Sequence, residues 1–239
     1  MSAGMRAAAG AATSASVSAG VRALCYDVNG LRGDRRAMDA MVRELAPDVV
    51  IVQGAPRRVR WRTRCADMAD RFGLVYAGGG EPSLGNVVLV SMRVSVREVR
   101  YVQYPLVPGQ LFRGAILARC AVAGTPFVVA GSQFAAVPEE RHTQAAILAA
   151  VLSDVDDLLV LGVDVNEEAG GPASRILADR RTVAGSAGGA TMIVDPRVEI
   201  GECHVVDTPE ARRASTHLPL VADLRLIRPT ADQATMASG

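Results

Sequence analysis

Lysine is missing from this 239-residue chain: all 26 of its basic residues are arginine, set against 25 acidic residues, for a net charge of +1. So close a balance excludes a global field that would gather nucleic acid or an anionic membrane, and leaves local patches, of which APRRVRWRTRC at 55–65 is the dense one. Cysteine is scarce. Four residues, at 25, 65, 120 and 203, lie far apart with no C-x-x-C and no metal-type spacing, so they read as reduced and mostly buried thiols in a chain long enough to fold without staples. No stretch reaches the roughly 18 uninterrupted apolar residues of a membrane span. The first twenty residues, rich in Ala, Ser and Gly, lack the apolar centre of a signal peptide, which makes the cytoplasm the expected location. No internal repeat of about 20 to 50 residues is visible.

What is present is a single α/β domain. The expected boundaries are a tail over 1–20, a domain over 21–228 and a second tail over 229–239, because both ends are too small and polar to pack. VRALCYDVNG reads as a buried strand stopped by Asn-Gly. A helix follows, capped by Asp34, with Met38, Met41, Val42 and Leu45 on one face and Pro47 beyond its end. DVVIVQ is almost wholly apolar, as a central strand covered on both faces must be. RCADMADRFG predicts a short helix closed by Gly73. GNVVLVS, VSVREVRYVQY and the hairpin around AGT at 123–125 follow as strands. PEERHTQAAILAAVL is a helix with Pro138 in its first turn; DLLVLGVDV is a strand; PASRILADR is a helix. Near the end, Leu220, Ala222, Leu224 and Leu226 face one way while Val221, Asp223 and Arg225 face the other. Loose alternation of helices and strands in two similar halves points to two packed mixed sheets with helices outside, a four-layer α-β-β-α sandwich.

Six stretches in order, YDVNGLR, PDVVIVQGAPR, GNVVLVS, VVAGSQF, LLVLGVDVNEEAGG and RRASTHLPLVADLRL, resemble the endonuclease/exonuclease/phosphatase superfamily, the deoxyribonuclease-I-like fold, over residues 21–227. The resemblance implies magnesium-dependent hydrolysis of phosphate esters, with a phosphate-containing ligand as the partner class. Such chemistry needs carboxylates to hold a hard cation, a histidine to deprotonate water and a carboxylate to orient that histidine.

At most of these positions the chain departs from the pattern. Gln53-Gly54 stands for Gln-Glu, Asp27 for Asn, Gln133 for a phosphate-contacting His, Ala190 for Asp, and Ser215-Thr216-His217 for Ser-Asp-His. His217, Asp164 and Asn166 survive as a catalytic set, vestigial or impaired, and Asn86 and Gln133 are the expected substrate contacts. Asp164 and Asn166, two apart at a strand end, are expected on one side. The expectation is a catalytically impaired pseudoenzyme serving as a binding or interaction module, with no cofactor assigned. The alternative is an active hydrolase with a rearranged site, in which Asp27 and Asp164 hold Mg²⁺ and His217 is the base. Glu167 and Glu168 read as a solvated acid pair, His142 and His204 as unremarkable, and the run at 57–64 as a solvated loop with Trp61 folded onto the core.

Overall fold

The computed structural model describes residues 18–227. In chain order it contains β1 (Ser18–Asp27), a 3-10 turn at Asn29–Leu31, α1 (Arg35–Leu45), β2 (Val49–Gln53), α2 (Trp61–Phe72), β3 (Val75–Gly80) and β4 (Asn86–Val90). Then come β5 (Val94–Gln103), β6 (Gly114–Val122), β7 (Thr125–Gln133), α3 (Pro138–Ser153), β8 (Leu158–Asp164) and α4 (Pro172–Ala178). The described residues end with β9 (Thr182–Ala187), β10 (Ala190–Val194), β11 (Val198–Val205), α5 (Pro209–Ala214) and β12 (Leu220–Ile227). β1 begins at Ser18, three residues before the position at which the domain was expected to start. Ser18 pairs with Ile227, and Ala19 is small enough to sit in the core, so β12 has a partner along its full length. Residues 1–17 and 228–239, which hold the rest of the expected tails and the last residue of the expected domain, lie outside the described residues.

The twelve strands form two six-stranded mixed sheets, in the orders β11-β12-β1-β2-β4-β3 and β5-β6-β7-β8-β10-β9. Between the sheets lies one apolar layer, drawing Cys25 and Ile51 from the first and Ile116, Phe127 and Val160 from the second. The outer face of the first sheet packs on α1, α2 and α5 through Met38, Met68 and Ala211; that of the second packs on α3 and α4 through Leu148 and Leu177. The four-layer α-β-β-α sandwich is the observed architecture. β12 shows how alternation encodes it: Leu220, Ala222, Leu224 and Leu226 enter the inter-sheet layer, and Val221 enters the helix-facing one. All five residues of β2 are buried, as its unbroken apolar run required, each large side chain contributing about 1.5–3 kcal/mol. The sheets come close at Gly162, where an added Cβ would lie 2.9 Å from Ile51 Cδ1.

Local signals account for the helices. Asp34 accepts from the backbone N–H groups of Arg36 and Ala37, and α1 ends at left-handed Ala46, just before Pro47. Gly73, at φ +73°, closes α2 as expected. Two differences stand out. α2 begins at Trp61 rather than Arg64, because Trp61 packs against the core and covers Gly80, so the run at 57–64 is half loop, half helix. α5 was not expected, although Thr208 accepts from Ala211 N and Pro209 occupies the first turn.

The topology also sets where the site lies. Each sheet has one parallel pair, β1 with β2 and β7 with β8. The carboxyl ends of both pairs, Asp27 with Gln53 and Gln133 with Asp164, reach the same rim of the sandwich, the usual place for a site in open α/β sheets.

Candidate functional site

At that rim one amide ties the two sheets together. Gln133 Nε2 donates to Asp27 Oδ2 at 2.7 Å and to Asp164 Oδ2 at 2.9 Å, while its Oε1 accepts from Arg113 Nη1. The other oxygen of each carboxylate is also taken. Asp27 Oδ1 accepts from Asn29 N at 2.7 Å, and Asp164 Oδ1 from Asn166 N at 3.0 Å. Burial pushes the Asp27 carboxyl above its ordinary value, with the Asn29 N–H and nearby His217 pulling the other way. Burial likewise lowers Arg113, against the pull of Asp164 and Asp27.

Gly54 explains how Asp27 came to sit here. Its φ of +63° is a left-handed conformation that favours glycine, and a Cβ on it would lie 2.2 Å from Asp27 Oδ1. The carboxylate of residue 27 therefore fills the space a side chain at 54 would need. Gln53 points away into the core, where its Nε2 donates to Gly162 O at 3.1 Å and helps fasten one sheet to the other.

Of the expected catalytic set, Asp164 ends β8 and joins Asp27 through Gln133. Asn166 does not share its face: it lies past the strand at φ +48°, and its Nδ2 donates to Phe134 O at 2.8 Å. The strand turns at that point because Asp164 captures the N–H of Asn166, which ends the period-two pattern. His217 is half-buried beside Asp27. Its Nδ1 meets Thr216 Oγ1 at 3.2 Å, its backbone N–H donates to Ser215 Oγ, and no carboxylate among the described residues bonds its ring. Ser215 in turn donates to Asp27 O at 2.8 Å, fastening this segment to β1. Ala190 lies directly opposite Asp164 in the ladder.

Asn86 is buried behind the cleft, its Nδ2 committed to Ser83 O and Gly114 O, and its Oδ1 has no partner among the described residues. The expected solvated acid pair divides. Glu168 is exposed, but the Glu167 side chain is buried, accepts from Ser174 N at the start of α4 and faces Arg141, because α3 and α4 close over it. His142 is half-buried in α3, and exposed His204 on β11 faces Glu202 at 3.1 Å.

The donor set does not fit a resident hard cation. Among the described residues no three His, Cys, Asp or Glu side chains are grouped to hold a metal. An N–H donor and, behind it, a guanidinium stand between the two carboxylates, where a bridging ion would need oxygen.

Beside Asp27, Gly54 and Gln133 opens a cleft of about 1020 Å³ with six arginines in its lining: Arg32, Arg35, Arg57, Arg58, Arg64 and Arg113. Sequence reading missed this cluster as a unit. Three of the six were visible in the dense run at 55–65, and nothing in the sequence signals that Arg113, Arg32 and Arg35 join them.

No family model matches the chain, and no curated protein matches it. Solved structures do. An endonuclease/exonuclease/phosphatase family protein of Bacteroides thetaiotaomicron superposes with a TM-score of 0.74 at 11% identity, over 89% of this chain and 97% of that one. A mannosyl-6-phosphatase of the same organism gives 0.70 at 12% identity, over 85% and 99%. The human Nocturnin catalytic domain, with a bound sulfate anion, gives 0.68 at 13% identity, over 90% and 97%. The chain has the endonuclease/exonuclease/phosphatase fold, as the order of its six stretches implied. No helix among the described residues is long and apolar enough to cross a membrane.

Proposed function

We propose that this protein is a non-hydrolysing bearer of that fold, a binding module that has kept the cleft of a phosphoesterase and lost its cation site. The observation that carries this reading is Gln133, whose amide N–H groups satisfy Asp27 and Asp164 together. Metal-assisted hydrolysis needs a cation to neutralise phosphate oxygens and to lower the pKa of attacking water, and a base held in line by a third group. Here the carboxylates are turned to a neutral donor, and His217 has a hydroxyl where an orienting carboxylate would stabilise its charged form. Of the solved structures named above, one is described as a mannosyl-6-phosphatase and one as holding a sulfate anion; what passes from them to this reading is a phosphate-containing ligand.

Purified protein is expected to hydrolyse neither bis-p-nitrophenyl phosphate nor supercoiled plasmid above the blank, with Mg²⁺ or Mn²⁺ at millimolar concentration. Turnover that His217→Ala abolishes would overturn the reading.

One observation favours a second reading, an active hydrolase with a rearranged site. The Asp27 carboxylate occupies the space that a side chain on residue 54 would take, so a negative oxygen is present at that end of β2 although Gly54 has none to give. On this reading Gln133 swings aside and Asp27 with Asp164 receives the ion. Calorimetric titration separates the two: the first reading expects no heat from Mg²⁺ or Mn²⁺ in the wild type, the second expects saturable binding lost in Asp164→Ala.

A further inference from the structure

Nine of the eighteen described arginines outside the cleft face a carboxylate, and none of the six inside it does. Arg57 Nη1 donates to Leu84 O and Phe112 O, Arg35 Nε to Leu31 O, Arg64 Nη2 to Gly30 O, and Arg113 Nη1 to the amide oxygen of Gln133. Arg32 and Arg58 have no side-chain partner among the described residues. All these acceptors are neutral. They orient a guanidinium without cancelling its charge, and none of the six forms an ion pair among the described residues. Arg113 Nε is buried with no partner among the described residues. The charge is also crowded: Arg57 is lowered by burial and then by the neighbouring Arg113 and Arg58.

Six guanidiniums line the cleft against one carboxylate, Asp27, and that carboxylate is already committed to Gln133 and Asn29. The surplus is five positive charges. A single phosphate group carries about −1.5 to −2 at neutral pH, so one is too few to balance it. A guanidinium offers a planar fork of donors matched to phosphate oxygens, and fixed forks lose little freedom on binding. The volume, near the upper end of the roughly 300–1,000 Å³ usual for small-molecule pockets, suits a compact ligand.

We propose that the cleft is a metal-independent receptor for a small polyphosphorylated anion, with Arg113 supplying through Gln133 the positive charge that a cation supplies in a phosphoesterase, and with Arg57, Arg58, Arg64, Arg32 and Arg35 receiving the phosphates. This rests on the non-hydrolysing reading and adds to it the class of ligand and the independence from metal.

The test is isothermal titration of the full chain with inorganic tripolyphosphate in EDTA, with orthophosphate as comparison. Tripolyphosphate is expected to bind at least tenfold tighter than orthophosphate. Arg58→Glu and Arg64→Glu are each expected to weaken it tenfold or more, while Arg97→Glu, on the exposed strand β5 away from the cleft, stays within twofold. Absence of binding in EDTA with recovery in Mg²⁺ overturns metal independence. Equal affinity for orthophosphate overturns the polyphosphate assignment. Competition by single-stranded oligonucleotides that strengthens with strand length overturns the small-ligand assignment in favour of a nucleic-acid groove. Equal weakening by Arg97→Glu overturns the site. Folding of each variant is checked by its unchanged thermal transition, and the hydrolysis assay is run separately, so a failed titration and a failed non-hydrolysing reading are told apart.

Discussion

Two populations of arginine coexist on one scaffold. Outside the cleft, Arg22, Arg71, Arg93, Arg119, Arg141, Arg197, Arg212, Arg213 and Arg225 each face an Asp or Glu across an ion pair. Inside it, four of the six are steered by carbonyl and amide oxygens, Arg32 and Arg58 have no side-chain partner among the described residues, and none of the six is ion-paired there. The first population joins elements to one another: Arg22 reaches Asp223 from β1 to β12, and Arg93 reaches Asp48 from the turn before β5 to the start of β2. The second joins nothing of opposite charge. Paired charges serve structure and unpaired ones keep their field; since nine other described arginines also lack an ion pair, it is the crowding of six in one cleft, rather than the lack of a partner alone, that marks the part available to a ligand.

The sharpest way to break this contrast is at Asp48. Its carboxylate is buried and accepts from Arg22 N, Ser91 Oγ and Arg93 Nη1. Asp48→Ala removes the acceptor of all three, leaving the Arg22 N–H and Ser91 hydroxyl without it in a part-buried setting while exposed Arg93 turns to water, and is expected to cost about 2 kcal/mol in urea unfolding. A cost below about 0.5 kcal/mol would remove the structural role given to the paired group. Arg58→Gln tests the other population. With no carboxylate to lose and Arg57 relieved of a like charge, stability should stay within about 0.5 kcal/mol of wild type, on the stabilising side, while tripolyphosphate affinity falls. A clear loss of stability would show that Arg58 belongs with the paired arginines after all.

The smallest effect is one of pH. Arg22 hydrogen-bonds Asp223 and holds its carboxyl below the ordinary 3.8. The folded state therefore takes up this proton at lower pH than the unfolded chain, so the pair's contribution is complete above the unfolded value and fades as pH falls through the folded one. Both side chains are nearly half exposed, so solvent screening keeps the effect small. Asp223→Asn should lower stability by about 0.5 kcal/mol at neutral pH, and the two unfolding curves should converge below the usual carboxylate range. A constant difference across that range would show that the charge is not what the residue contributes.

Much of the scaffold was legible because its signals are local. Asp34 caps α1, Gly73 closes α2, Val49–Gln53 is apolar throughout, and the alternation from Leu220 to Leu226 assigns each side chain to its layer. The helix α5 escaped notice even though Thr208 followed by Pro209 and Glu210 is a helix start; six residues are too few to show a periodic face. Within the site, that residues 54 and 216 carry no carboxylate was readable from residue type alone. That Asp27 fills the space over Gly54 was not, since it depends on the path of β1 past β2. Asn166 was expected beside Asp164 by strand period, yet a side chain bonding its own backbone two residues on ended the strand first.

By itself the sequence determined the layers and their order, because apolar periodicity decides which face of its own element a side chain takes. It also determined what the rim lacks, because a glycine or threonine cannot supply a carboxylate. The tertiary structure alone decided that Gln133 would stand between Asp27 and Asp164, and that arginines from position 32 to position 113 would border one cleft. Those meetings follow from the pairing of two parallel strand pairs across a sandwich, and no local pattern specifies which strand ends a folded chain brings together.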